Sequence, residues 1–115
     1  MTEKPVVWVG DTRKRLMEFP KAVRVAVGYA LSEAQNDRRA DYVKPMKGLG
    51  SGVVEIFVDY DSDAYRAVYA AKIGDSVYVL HAFKKKSKSG ISTPKSEIDL
   101  VRNRLRLVKA RVKNG

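Results

Sequence analysis

The 115-residue sequence has no cysteine and a single histidine, His81. The chain therefore forms no disulfides, and it cannot assemble the Cys/His ligand set of a structural zinc site. No apolar run approaches the roughly 20 residues that a membrane span needs, and the N-terminus lacks the features of a signal peptide. We therefore expect a cytoplasmic protein with no membrane partner. A metal-dependent nuclease site would need the acids Glu55, Asp59, Asp61 and Asp63, which lie mostly at an expected turn, so the protein is expected to have no metal and no other cofactor. Its chemistry would depend on carboxylates, hydroxyls, cations and His81.

Acidic residues are scarce in the last third of the chain. Residues 81–115 carry eleven Lys or Arg against two Asp or Glu, whereas residues 46–80 carry three against five. This asymmetry indicates a polyanionic partner, with nucleic acid ahead of a membrane surface because no basic segment has an apolar face free for lipid. A basic surface that serves only solubility is the alternative. The glycines at 48, 50 and 52 precede a strand and not a helix, which argues against an NTPase phosphate loop.

The spacing of apolar residues predicts one α+β domain over residues 1–115. The run from Val6 to Val9 is typical of a buried strand, and two helices follow it, separated at Phe19-Pro20 because proline breaks a helix interior. Residues 38–52 are expected to be a connector. Three strand-like runs then predict an antiparallel meander. They cover residues 53–60, 65–73 and 76–83. Thr93-Pro94 is expected to begin a basic amphipathic C-terminal helix.

Gly74-Asp75 is typical of a two-residue hairpin turn with glycine first, and the strand register can be counted from it. The count pairs Arg66 with Phe83, and it makes Arg66 and His81 diagonal neighbours on one face. That face is expected to carry Arg66, Val68, Ala70, Lys72, Val77, Val79, His81 and Phe83. The other face is expected to pack on the helices through Ala67, Tyr69, Ala71, Tyr78, Leu80 and Ala82.

A second turn, over residues 61–64, is expected to place Asp59 beside Arg66, with Glu55 and Phe57 on the same face. Arg66 then has two interpretations, a structural ion pair with Asp59 or a phosphate ligand. His81 likewise is either a packed, hydrogen-bonded residue or a general acid or base acting among cations. Lys and Arg can carry the charge that develops on a reacting phosphate. The lysines expected to converge on this end of the sheet are Lys47, Lys84, Lys85, Lys86, Lys88 and Lys95.

Three motifs occur together in the C-terminal part of the chain. They are Tyr-Arg-x-x-Tyr from Tyr65, Leu-His-x-Phe-x-Lys-Lys from Leu80, and Thr-Pro-x-x-Glu from Thr93. In this combination, residues 40–110 resemble RelE/HigB-type toxins of type II toxin–antitoxin systems, specifically the phage-derived HigB-like branch. The resemblance implies a RelE/ParE-like fold and an mRNA interferase. Such an endoribonuclease cuts messenger on the ribosome without a metal, by attack of the ribose 2′-oxygen on the adjacent phosphate. It also implies a cognate antitoxin, expected to be an HTH-type DNA-binding protein.

The resemblance also implies roles for individual residues. Arg66 would bind the scissile phosphate and stabilise the transition state, while His81 with Lys85 or Lys86 would assist proton transfer or neutralise charge. Phe57 stands where many relatives carry a basic residue, and it would stack on a base instead. The other expected RNA contacts are Lys47, Phe83, Lys84, Lys88 and Lys95. Two alternatives stay open: a ParE-like gyrase-inhibiting toxin, and a non-catalytic nucleic-acid-binding phage regulatory protein.

Overall fold

The structure is a computed structural model that describes residues 3–85 and 93–114. Its elements are β1 (Val6–Trp8), α1 (Thr12–Met17), α2 (Lys21–Gln35), β2 (Val43–Pro45), β3 (Val53–Tyr60), β4 (Asp63–Ile73), β5 (Ser76–Lys85) and α3 (Lys95–Asn114). The predicted α+β class is confirmed, as is the order of strand, two helices, meander and helix. The connector predicted over residues 38–52 contains an additional strand, β2. None of the described helices is long and apolar enough to cross a membrane.

The five strands form one sheet in the order β1-β5-β4-β3-β2. β1 runs parallel to β5, and the other neighbours are antiparallel. The edge strands β1 and β2 have three residues each, and Pro45 lies at the β2 edge, where proline is tolerated because no further strand pairs there. The long strands of the meander therefore occupy the centre of the sheet.

Pro20 separates the first two helices. Its carbonyl accepts a hydrogen bond from Arg24 N at 3.0 Å, so Pro20 is the N-cap of α2, whose first helical residue is Lys21. An apolar stripe along α2 is buried against the sheet. Its residues are Val23, Val27, Ala30, Leu31 and Ala34.

Both turns of the meander are two residues long. The Gly74-Asp75 turn is confirmed, since Gly74 has a φ of +56° and the flanking residues pair. The other turn is Asp61-Ser62, with φ values of 50° and 69° that fit a type I′ turn, and not the expected four-residue turn. The β3–β4 register therefore differs by two residues from the expected one. Because side chains alternate with period two, Asp59 still shares a face with Arg66.

A β-bulge in β5 moves some side chains to the face of the sheet opposite to the predicted one. Tyr69 pairs with Val79 and not with Leu80, so Leu80 is an extra residue in its strand. The faces predicted for four residues are therefore wrong: Val77 and Val79 pack against α1 and α2, whereas Tyr78 and Leu80 pack against α3. A second irregularity, in β4, restores the register at the turn. The predicted pairs that do not form are Ala70–Val79, Lys72–Val77, Tyr69–Leu80 and Ala71–Tyr78.

Helices cover both faces of the sheet, although one face was expected to be an open working surface. The helix α3 packs on the face of Arg66 and His81, through Val101, Leu105 and Val108. An amphipathic helix needs a surface on which to bury its apolar stripe, and this face provides one. On this face Arg66 is only 6% exposed and His81, which contacts Glu97 of α3, only 2%.

Candidate functional site

Three neighbouring strands align polar side chains on the sheet face covered by α3. In register, Phe57 of β3 pairs with Arg66 of β4, which pairs with Phe83 of β5. Two residues further along β4, Val68 pairs with Glu55 on one side and with His81 on the other. The predicted diagonal arrangement of Arg66 and His81 is confirmed. Glu55 is an additional member of the cluster.

Arg66 is buried between an aromatic ring and an exposed carboxylate. Its guanidinium carbon lies 4.3 Å from the centre of the Phe57 ring, a cation–π contact. Its Nη1 donates a hydrogen bond to Tyr65 O at 2.9 Å and lies 3.5 Å from Asp59 Oδ1. The predicted ion pair with Asp59 is therefore present. It is long, and the Asp59 side chain is 83% exposed, so an anion of higher charge can displace it at small cost.

Glu55 is a buried carboxylate held among cations. The Thr93 hydroxyl donates to this carboxylate and lies 2.9 and 2.8 Å from its two oxygens. Burial raises the pKa of Glu55, while the Thr93 hydrogen bond and the charges of Arg66 and Lys85 act in the opposite direction. A carboxyl group that is less acidic than usual and adjacent to cations is a candidate for a catalytic proton acceptor.

His81 is inside the protein and faces α3. Its Nε2 lies 3.0 Å from Glu97 Oε1, and its ring stacks on Phe83 with centres 5.0 Å apart. Burial lowers the pKa of His81, and the hydrogen bond with Glu97 opposes that shift. A neutral imidazole would donate from Nε2 to Glu97, leaving Nδ1 as an acceptor with no partner among the described residues. In this structure His81 therefore links β5 to α3.

Arg104 holds the backbone next to His81. Its Nη1 donates to Leu80 O at 2.9 Å, a carbonyl within the β5 bulge, and its Nη2 lies 2.9 Å from Asp11 Oδ1. Hydrogen bonds from Arg15 and Arg104 lower the pKa of Asp11 to about 2. The guanidinium also passes so close to Gly10 that a Cβ there would lie 2.9 Å from Arg104 Cζ. Arg104 therefore ties α3 to the bulge and to the start of α1.

The lysines that were predicted for catalysis, Lys85 and Lys86, and for RNA contact, Lys84 and Lys88, have different positions. Lys85 lies on the face of Arg66, is 7% exposed, and lowers the pKa of Glu55 through its charge. Lys84 lies on the other face of the sheet, opposite Tyr65, and pairs with Asp63 at 3.1 Å. Alternation along β5 thus places on opposite faces two lysines that were expected to converge. The other two lysines of the predicted set, Lys86 and Lys88, lie outside the described residues.

Two other predicted RNA contacts are not part of this cluster. Lys47 follows Met46, whose N bonds to Val53 O, at the end of the sheet away from Arg66. Val53 pairs with Ala70, four residues along β4 from Arg66, or about 13 Å at ~3.3 Å per residue. The expected convergence of Lys47 on this end of the sheet is therefore wrong. The side chain of Lys95 is 88% exposed and pairs with Asp99 at 3.0 Å.

The two predicted aromatic contacts differ in their exposure. Phe57 is half-buried, and Lys44 Nζ lies 5.1 Å from its ring centre, so its edge of the site reaches solvent. Phe83 is 3% exposed, and its ring is stacked on His81. In this conformation Phe83 offers no ring face to an RNA base. Phe57 therefore marks the open side of the cluster.

Sequence reasoning assigned no site role to four residues that the structure brings here: Lys44, Glu55, Thr93 and Glu97. Glu55 was placed on the correct face by alternation, and Thr93 and Glu97 belong to the Thr-Pro-x-x-Glu motif. Their contacts with Glu55 and His81 join residues 38 and 16 positions apart, which no local pattern reveals. Within residues 3–85 and 93–114, no three His, Asp or Glu side chains form a group that could hold a metal ion.

Comparison with known proteins identifies one family. A family model described as "Phage derived protein Gp49-like (DUF891)" matches residues 14–106, which include every member of the cluster. No curated protein and no solved structure matches the chain.

Proposed function

The chain belongs to the Gp49-like family of phage derived proteins, and on that basis we propose that it is the toxin of a type II toxin–antitoxin system, a RelE/HigB-type mRNA endonuclease. The observation that carries the proposal is the cluster of Glu55, Arg66 and Lys85 on one sheet face, where a buried carboxylate with a raised pKa lies among cations. A carboxylate whose pKa is raised by burial and that lies next to specific charges is a candidate for a catalytic site.

The proposed reaction is metal-independent cleavage of RNA at a ribose. Glu55 takes the proton of the 2′-hydroxyl, and the 2′-oxygen attacks the adjacent phosphorus. The bond from phosphorus to the 5′-oxygen breaks, and the leaving oxygen receives a proton from Lys85. Arg66 neutralises the charge that develops on the phosphate, which binds in the place now occupied by the Asp59 carboxylate. His81 acts as a positioning residue through Glu97, and not in proton transfer as the resemblance implied.

RNA would approach the cluster from the edge of the sheet at β2, where its side chains are exposed to solvent. Phe57 and Asp59 reach solvent there, and Lys44 Nζ of β2 lies 5.1 Å from the centre of the Phe57 ring. An RNA base can stack on Phe57 while Lys44 contacts the neighbouring phosphate. Phe57 thus takes the stacking role, and Lys44 supplies the positive charge that relatives carry on β3.

The test is induced expression in a bacterial host, with growth and messenger cleavage sites measured together. Glu55→Gln preserves the shape of the side chain and removes the base, and Arg66→Lys preserves the charge and removes the planar guanidinium. Loss of a general base should slow cleavage about 10²- to 10⁴-fold. Lys72→Gln, on the exposed part of β4, is the control that should retain wild-type toxicity. Full toxicity of both site variants, with folding verified by circular dichroism, would contradict the proposal.

Burial of His81 together with the exposed basic face of α3 favours a second candidate, a toxin or regulatory protein that acts by binding alone. A gyrase-inhibiting toxin of the ParE type would damage DNA and leave messenger intact. A non-catalytic nucleic-acid-binding regulatory protein would cause neither effect. Mapping messenger ends and measuring the DNA-damage response in the same culture separates the three. The ribosome and a cognate HTH-type antitoxin stay predictions, tested by ribosome cosedimentation and by co-purification with the product of a neighbouring reading frame.

A further inference from the structure

A groove of about 430 Å³ lies between the loop that follows β2 and the outer side of α3. Gly48, Leu49 and Gly50 form one wall, and Arg102, Leu105, Arg106 and Lys109 form the other. The groove is separate from the Arg66 cluster, since Arg106 lies nine residues beyond Glu97 in α3, or about 13 Å along the helix axis. A ligand in this groove would therefore bind at a site distinct from the Arg66 cluster.

The helix wall carries an unusual density of positive charge. Between residues 100 and 114, α3 has six Lys or Arg and no Asp or Glu. Arg102, Arg106, Lys109 and Lys113 recur at spacings of four, three and four, so they form one stripe of like charges. Neighbouring like charges at these spacings destabilise an isolated helix, and a bound polyanion would remove that repulsion.

These cations are largely unneutralised within the protein. Arg106 donates a hydrogen bond to the neutral Asn103 side chain, and neither Arg106 nor Lys109 forms an ion pair within the described part of the chain. Arg102 pairs with Asp99 at 3.3 Å, and both side chains are about half exposed. An anion in the groove can therefore contact these cations with little competition.

The opposite wall presents bare backbone at its two glycines, and the side chain of Leu49 between them is buried. Gly48 and Gly50 have φ values of +82° and +101°, and the space beside Gly48 is open. Lys109 Nζ lies 3.7 Å from the position that a Cβ of Gly50 would take, so a larger residue there would narrow the groove. A wall of this kind admits a chain-like ligand close to the peptide backbone.

The apolar residues of the groove do not favour a protein helix as its occupant. Leu49 and Leu105 are each 4% exposed, so an amphipathic helix would find little apolar surface to bury. Recognition must then depend on charge. We propose that this groove binds the phosphodiester backbone of single-stranded nucleic acid, independently of the Arg66 cluster. Lys47, exposed immediately before Gly48, would contact the same backbone.

The test measures binding of a fluorescent 2′-O-methyl RNA and of a DNA oligonucleotide of the same sequence, neither of which can be cleaved by 2′-oxygen attack. The groove variant is Arg106→Gln with Lys109→Gln. Its control is Arg13→Gln with Lys14→Gln, which removes the same charges from exposed positions of α1. Each phosphate contact contributes about −0.7 to the slope of log K against log salt for single strands. We expect the groove variant to lose about 1.4 from that slope, and the control to keep the wild-type slope.

With a slope change of that size, the ratio of wild-type affinity to groove-variant affinity falls about sevenfold between 50 and 200 mM salt. Equal binding of RNA and DNA supports contact with the backbone alone, and tighter binding of RNA supports a further contact to the ribose. Equal losses in the groove variant and the control would overturn the proposal, as would polyglutamate competing as well as an oligonucleotide at equal charge. Binding is measured without cleavage, so this test can fail while the Glu55 test succeeds, and the reverse.

Discussion

The burial of His81 predicts how the stability of the protein depends on pH. Burial lowers the pKa of His81 below its ordinary value of 6.5. Between that lowered pKa and 6.5, the unfolded chain binds a proton at this position that the folded protein does not. The free energy of unfolding therefore falls as the pH drops below about 6.5, and the loss levels off once the pH is below the folded pKa. One proton contributes at most about 1.4 kcal/mol per pH unit.

Glu55 acts in the opposite sense, because its pKa is raised in the folded protein. Acidification towards pH 4.5 therefore stabilises the fold through Glu55 while it destabilises the fold through His81. Only a difference between variants isolates His81. We expect His81→Gln to retain a donor for Glu97 and to remove the titration, so that its free energy of unfolding declines less than that of the wild type between pH 7 and 5.

Urea unfolding at half-unit steps of pH measures this difference. Glu97→Gln is the second variant, because the hydrogen bond with Glu97 raises the pKa of His81. Without that carboxylate the pKa of His81 should fall further. The free energy of unfolding of Glu97→Gln should therefore keep falling to a lower pH than that of the wild type. Identical pH profiles for the wild type and His81→Gln would refute the assignment of a buried neutral imidazole. A wild type that gains stability on acidification relative to His81→Gln would show instead that an ion pair with Glu97 outweighs burial.

Two further substitutions test contacts around the cluster. Asp59→Asn removes the carboxylate beside Arg66, and we expect it to tighten binding of uncleavable RNA by about two- to fivefold, the range of an exposed ion pair, as measured by fluorescence anisotropy. Gly10→Ala places a Cβ against the Arg104 guanidinium at a φ of +61°, and we expect it to lower the free energy of unfolding by about 1–2 kcal/mol from the left-handed backbone alone, as measured by urea.

Each of these substitutions has a matched control. Asp61→Asn removes the same charge from the exposed tip of the β3–β4 turn, and equal tightening by Asp61→Asn would attribute the effect to net charge and not to Asp59. Gly28→Ala adds the same methyl group within α2, where nothing lies within 4 Å. It should stabilise the helix by about 0.5–1 kcal/mol, so destabilisation in both variants would contradict the explanation for Gly10.

Much of the fold could be predicted because its signals are local. The apolar stripe of α2, the break at Pro20 and the Gly74-Asp75 turn each depend on residues within a few positions of one another. The turn also aligned Arg66 with Phe83 correctly, since two irregularities of opposite effect lie between the turn and that pair. The short strand β2 was missed because three residues with a proline carry no periodic pattern.

The candidate site was only partly predictable. Alternation placed Glu55, Arg66 and His81 on one face. The predicted strand ended at residue 83, so it gave no face to Lys84 or Lys85, which the structure includes in β5. Alternation could not predict that Leu80 forms a bulge, or that the Leu80 carbonyl accepts a hydrogen bond from Arg104, 24 positions away. Nor could it predict that Thr93 contacts Glu55.

The sequence alone determined every element except β2, the order of those elements, and the shared face of Arg66 and His81, because the periods of helix and strand are properties of adjacent residues. Only the tertiary structure decided that α3 covers the face of Arg66 and His81, which made a predicted open surface into a buried cluster. It also decided that His81 bonds to Glu97 and that Glu55 lies among cations. Burial and charge environment are set by residues far apart in the chain, and these in turn set the pKa values on which any chemistry depends.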